Sequence, residues 1–142
     1  MSDHYRIAII GGGIVGVATA YHLARRGESD VVIAERAELT SGSTWHAAGN
    51  LPHFAGSYNM MKLHKDSKDL YRELEDRHGD IGMHLTGSVR LAHSADRMDE
   101  YRRMAALAGQ AGVEFAVLTP DDMAARFPWL ELHDLQGGLW DP

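Results

Sequence analysis

The sequence contains no cysteine. Disulfides, thiolate metal sites and thiol catalysis are therefore excluded. Positive charge is also in short supply. Fourteen Lys and Arg stand against 20 Asp and Glu, for a net charge of −6, and no basic stripe gathers the cations. That balance argues against nucleic acid or an anionic membrane as the main partner. A long uninterrupted apolar run is missing too. The nearest one, Ile7 to Ala24, is broken by four glycines. A strand, a turn and a helix explain it better than a membrane or signal helix does, so no membrane insertion is expected. There are no internal repeats and no low-complexity linker. His22, His53, His64, His78, His84, His93 and His133 lack metal-ligand spacing, and no metal site is expected. No transit segment precedes the first strand, which makes the cytoplasm the expected location. The remaining composition, 44% hydrophobic and 24% charged over 142 residues, is that of a globular protein able to bury one ordinary core.

What is present is concentrated in residues 7–49. Ile7-Ala8-Ile9-Ile10 reads as a short buried strand. Gly11-Gly12-Gly13-Ile14-Val15-Gly16 follows at once and opens a helix. In such a turn Gly11 takes the tight bend and Gly13 lets the backbone approach a pyrophosphate. Gly16 lets helix and strand pack closely. The helix start at Ile14 and Val15 offers unpaired N–H groups and a positive dipole end to phosphate. A second apolar run, Val31 to Ala34, ends at Glu35, 19 residues after Gly16, close to the ~20 of a dinucleotide fingerprint. A carboxylate there accepts hydrogen bonds from a ribose diol and repels a 2′-phosphate. The alternative is a plain glycine-rich turn, which does not explain strand, helix, second strand and acid in that order.

The rest alternates in the same way. Strands are expected at 5–10, 31–35, near Val89 and Leu91, at Val113 to Val117, and from Gly137. Helices are expected from Ile14 to about Arg26, and from Ser57 to His78 with Leu63, Leu70 and Leu74 among its apolar residues. Another should follow the Ser94 cap, with Met98, Tyr101, Ala105 and Ala108 on one face. Thr119-Pro120-Asp121-Asp122 is a cap, a first-turn proline and first-turn acids, and Pro128 ends that helix. Met60 and Met61 read as core, and Glu73, Glu75 and Asp76 as a solvated face. The fold class is α/β, a Rossmann-like FAD/NAD(P)-binding fold with a βαβ start, followed by the beginning of an α+β substrate domain. Two strands are one short of a mononucleotide-binding half, and the last residues run into a strand. The chain therefore reads as the front of a longer protein.

The stretch Gly42-Ser43-Thr44-Trp45-His46-Ala47-Ala48-Gly49 carries a resemblance. With Gly11 to Gly16 and Glu35-Arg36, it resembles the FAD oxidoreductases of the glycine-oxidase and D-amino-acid-oxidase type. Within them it looks most like the dimethylglycine and sarcosine dehydrogenases. The similarity continues through Leu85 to Ala92 and Gly137 to Pro142. The resemblance implies FAD held by Gly11, Gly13, Ile14, Val15, Gly16, Glu35, Arg36, Gly42, Ser43, Thr44, His46 and Gly49. It also implies that His46 carries the flavin covalently through the 8α-methyl carbon. A neutral imidazole nitrogen is a nucleophile suited to that bond, and the hydroxyls of Ser43 and Thr44 can donate to phosphate or flavin oxygens. Arg36 lies near the adenine or is solvated; Trp45 packs on the flavin or fills core. Residues 1–82 would be the first part of the FAD-binding domain and 83–142 an incomplete substrate-domain segment. The implied reaction takes hydride from an N-methylated glycine, sarcosine or dimethylglycine, to flavin N5. The implied partners are a small-molecule amine, an electron acceptor and, where a folate region follows, tetrahydrofolate. Catalytic residues are expected beyond residue 142, so the 142 residues alone are expected to be inactive. The rival readings are an NAD-linked Rossmann dehydrogenase, which needs no such loop, and a non-catalytic nucleotide-binding module.

Overall fold

The computed structural model describes residues 4–142, which divide into two compact units, 4–50 and 51–142. In the first unit, β1 (Ile7–Ile10) leads through the glycine turn to α1 (Ile14–Arg25), and β2 (Val31–Ala34) follows. β1 and β2 pair in parallel, Ile7 opposite Val31 and Ile10 opposite Ala34. Apolar β-branched residues hold both strands extended. α1 stops where Gly27 takes a positive φ of 87° and the last carbonyls are capped by Gly27 and Glu28 N–H groups.

The second unit contains α2 (Tyr58–His78), β3 (Ser88–Ala92), α3 (Ala95–Gln110), β4 (Ala116–Leu118), α4 (Pro120–Arg126) and β5 (Gly137–Asp141). Each helix start follows the local chemistry. Ser57 accepts from the Met60 N–H and Ser94 from the Arg97 N–H, while Thr119 and Asp122 form a reciprocal capping box with Pro120 at the first position. The sheet is antiparallel in the order β3-β5-β4. The final strand is thus central: Leu139 pairs with Arg90 on one side and Val117 on the other.

Alternation along the strands builds two cores. Ala92, Leu139 and Val117 face α3, meeting Met98, Tyr101, Met104 and Ala108, with Met61 of α2 in the same cluster. Leu118, Val89, Leu91 and Trp140 pack with Met123 and Phe127 at the α4 side. Two expectations need correction. Met60, read as core together with Met61, is exposed, and Met61 and Lys68 are the buried residues of α2. The strand near Val113 is shorter than expected, with only 116–118 in the ladder. The two compact units meet at 50–51.

Candidate functional site

The first unit assembles its site around the turn after β1. Gly11 has φ 102°, a left-handed value that disfavours other residues. Its N–H donates to the Ala34 carbonyl at 2.8 Å, tying the turn to the end of β2. A Cβ on Gly16 would collide with the Gly11 carbonyl oxygen and press on Ile9 of β1. Only glycine there lets α1 lie this close to the strand. Gly13 is the N-cap of α1 and supplies no side-chain cap. The first N–H groups of α1 therefore lack intrahelical acceptors. That of Ile14 donates to the Thr44 hydroxyl at 2.9 Å. The Ile14 and Val15 side chains are exposed.

Glu35 closes the other side. Its Oε2 accepts from the Gly12 N–H at 2.7 Å and its Oε1 from the Ala37 N–H at 3.0 Å. These bonds, Gly12's first, hold its carboxyl below the usual carboxylate range, and the adjacent Arg36 charge adds to the effect. Each oxygen keeps a further lone pair for an incoming hydroxyl. The carboxylate is thus fixed, charged and acceptor-only, which suits a diol and opposes a phosphate. Arg36 itself is exposed.

The loop after β2 folds back over the turn. The Thr40 N–H donates to the Gly12 carbonyl at 3.0 Å, and the Thr40 carbonyl accepts from the Trp45 N–H at 3.0 Å. Thr40 is held at φ 65°, a strained value for a β-branched residue. Such strain persists when surrounding bonds over-determine it, and it collects at functional sites. His46 lies 4 residues after Gly42, with Nδ1 3.0 Å from the Gly42 carbonyl oxygen. A carbonyl only accepts, so Nδ1 carries the hydrogen, and in the neutral ring Nε2 keeps its lone pair. His46 is exposed, and Trp45, at 78% exposure, fills no core.

Direct hydrogen bonds thus join Ile14 to Thr44, Gly12 to Glu35, and Gly42 to His46. Among the described residues, no side-chain hydrogen bond ties Arg36 or Ser43 to this set. A Cβ on Gly42 would meet nothing within 4 Å, so its visible role is its carbonyl; Gly49 has φ 72°. Gly12 is the residue that the sequence reading passed over, because the fingerprint counts its position as variable.

A second polar cluster, in the other unit, also escaped notice. Asp141 grips His53 twice: Oδ2 accepts from its backbone N–H at 2.8 Å and Oδ1 from Nδ1 at 2.7 Å. The Lys68 ammonium lies 3.5 Å from that Nδ1 and donates to the Pro142 carbonyl at 3.1 Å. All three residues are buried. Burial pushes the Lys68 amine below its ordinary range, and Asp141 opposes that shift. His53 and Asp141 are 88 residues apart, and no local pattern links them.

A family model described as FAD dependent oxidoreductase matches residues 6–142. Human dimethylglycine dehydrogenase, mitochondrial, is 43% identical over 141 residues, covering 99% of this chain and 16% of that protein. Human sarcosine dehydrogenase, mitochondrial, is 38% identical over 138 residues, covering 96% of this chain and 15% of that protein. Among solved structures, L-proline dehydrogenase from P. horikoshii superposes with a TM-score of 0.90 at 26% identity, covering 100% of this chain and 37% of that one. The chain therefore spans about a sixth of the curated relatives it matches (16% and 15%). The resemblance carried by the glycine turn and the loop at 42–49 is borne out at the level of family and of Rossmann-like α/β fold. The match also favours FAD over an NAD-linked reading.

Proposed function

The chain belongs to the DAO family of FAD-dependent oxidoreductases, and on that premise we propose that it is the cofactor-binding front of an amine oxidoreductase acting on an N-methylated glycine, sarcosine or dimethylglycine. The observation that carries the cofactor part is the pairing of an α1 N-terminus without a cap side chain at Gly13 with the doubly held Glu35 carboxylate. The space that a Cβ on Gly16 would need is already taken by the Gly11 carbonyl. Helix start, turn and strand end therefore stay close enough to face one pyrophosphate together.

In this reading Gly11, Gly13, Ile14, Val15 and Gly16 hold the pyrophosphate, and Glu35 accepts from the ribose hydroxyls. Thr44 accepts from Ile14 and points its own hydroxyl hydrogen toward phosphate or flavin oxygen. Ser43, Gly42, Gly49 and Arg36 line the same cofactor. His46 is the covalent attachment point for the flavin 8α carbon, and its Nε2 is the nitrogen that the Gly42 carbonyl leaves free. Bound FAD supplies the hydride acceptor for an amine carbon. Residues 1–82 contribute to the cofactor domain and 83–142 begin the substrate domain. The electron acceptor, and tetrahydrofolate as a carbon acceptor, belong with parts of the protein outside these residues.

Mixing the intact protein anaerobically with sarcosine, dimethylglycine or glycine tests the substrate. Loss of the flavin absorption band with the two N-methylated compounds is expected. A band that persists with both removes the proposed substrate class. No described helix is long and apolar enough to cross a membrane. The proposed location is the cytoplasm, while the human relatives above are described as mitochondrial. Fractionating cells that express the intact protein separates the two.

A further inference from the structure

The loop that carries His46 is a small structure of its own. Three successive bonds close it. The Trp45, His46 and Ala47 N–H groups donate to the Gly42, Ser43 and Thr44 carbonyls at 3.1, 3.2 and 3.2 Å. The His46 ring joins the same turn through Nδ1 and the Gly42 carbonyl. Whatever fixes the turn therefore fixes the imidazole.

Little holds that turn in place. Among the described residues, two hydrogen bonds cross from residues 40–47 to the glycine turn and the start of α1. One is backbone to backbone, from the Thr40 N–H to the Gly12 carbonyl. It is made at a strained φ of 65°. The other is made by a side chain: the Thr44 hydroxyl accepts from the Ile14 N–H at 2.9 Å. Of residues 41–50, Thr44 alone is half-buried and the rest are exposed, so burial supplies no other anchor near the ring. Thr44 lies two residues before His46, inside the closed turn. The Ile14 N–H has no acceptor within the helix, so this bond does not compete with α1. An accepting hydroxyl also keeps its own hydrogen to donate.

We propose that Thr44 is a positioning residue: its hydroxyl registers the 42–47 turn, and with it the His46 ring, on the start of α1 before a cofactor arrives. The consequence for attachment rests on the reading of His46 as the flavin anchor. In that attachment His46 Nε2 takes the place of one hydrogen on the 8α carbon. That hydrogen and the imidazole's own leave as protons, and the electron pair passes by way of the flavin to dioxygen, giving hydrogen peroxide. A nucleophile already set in place spares the cost of ordering it at the moment of reaction.

Thr44→Val keeps the branched shape and removes the hydroxyl, whereas Thr44→Ser keeps the hydroxyl. Hydrogen–deuterium exchange of intact apoprotein from riboflavin-starved cells reads the registration directly. The amides of 45–47 should exchange about tenfold faster in Thr44→Val, the upper range for one lost hydrogen bond. They should stay near the wild-type rate in Thr44→Ser, with exchange in β1 and β2 unchanged in both. Adding FAD then reads the consequence. The first-order rate at which flavin becomes acid-stable on the protein, taken at saturating FAD, should fall about tenfold or more in Thr44→Val and recover in Thr44→Ser. A role confined to holding the cofactor would weaken the Kd for FAD and leave that saturated rate alone. Equal exchange at 45–47 in wild type and Thr44→Val overturns the assignment, and so does an unchanged saturated rate. If wild-type protein never makes acid-stable flavin, the attachment reading falls, and the exchange result alone decides the role of Thr44.

Discussion

Glu35 is the side chain on which the proposed ligand preference rests. Its two oxygens are each held by a backbone N–H, from Gly12 and Ala37, so it can turn neither away from a ligand nor into a donor. Glu35→Gln keeps the size and puts an NH₂ where one of those N–H groups now finds an acceptor. In apoprotein prepared from riboflavin-starved cells, that variant should bind FAD about tenfold more weakly or worse, the scale of a lost charged hydrogen bond. The wild type should bind FAD more tightly than NADPH; the reverse order in a direct titration contradicts the role given to Glu35. The sign of the pH dependence follows from the same bonds. The pKa of Glu35 is lowered in the folded protein. Its contribution is therefore fully present above the ordinary carboxylate pKa of about 4.3 and is lost as pH falls through the lowered value. FAD affinity should not fall between pH 7 and 5 on account of Glu35. This residue was legible in the sequence because its spacing from Gly16 is a local quantity. Gly12 was not, since its role appears only when the chain returns 23 residues later to place Glu35 against its N–H. His53, Lys68 and Asp141 were illegible for the same reason on a longer scale.

At the scale of elements, the βα turn is the proposed phosphate site. Gly13→Val tests it. A Cβ at Gly13 would lie 3.1 Å from the Thr44 hydroxyl oxygen, and the valine methyls would extend further into the space before α1. The variant should lose FAD binding while circular dichroism shows the scaffold intact; near wild-type affinity contradicts the phosphate role of the turn. Caps were well read from sequence, because a cap is a contact between residues three apart. Thr119→Ala removes the hydroxyl half of the α4 capping box and leaves Asp122 accepting from the backbone N–H of residue 119; it should lower stability by roughly 1 kcal/mol in chemical denaturation. The orientation of α2 was not legible. Its apolar residues include Leu63, Leu70 and Leu74, yet Met61 is fully buried and Leu63 is 56% exposed. The tertiary partners of α2 decide this: Met61 joins the α3 cluster, and Lys68 reaches the Asp141 group. Met61→Ala should cost about 2–5 kcal/mol and Leu63→Ala within roughly 0.5 kcal/mol. Equal losses contradict that orientation of the helix.

At the scale of the whole molecule, two compact units carry different parts of the account. The first holds the residues proposed to bind the cofactor, and the second holds the β3-β5-β4 sheet and its two cores. The segment from Gly137 looked in the sequence like a strand just beginning. In the fold it is the central strand, because pairing partners drawn from 88–92 and 116–118 cannot be read from its own residues. The parallel β1-β2 pair, by contrast, was visible from its apolar runs and the glycines between them. Both units fall within a match to a single family over residues 6–142. The central claim is that this front section holds FAD, with His46 as its anchor. The most direct measurement is to denature the intact, purified protein in acid, separate it from free small molecules, and sequence its flavin-bearing tryptic peptide by mass spectrometry. The yellow colour should stay with the protein, the added FAD mass should map to His46, and His46→Ala should release all flavin while remaining folded. Wild-type protein that loses its flavin completely in acid, or carries it on another residue, contradicts the claim.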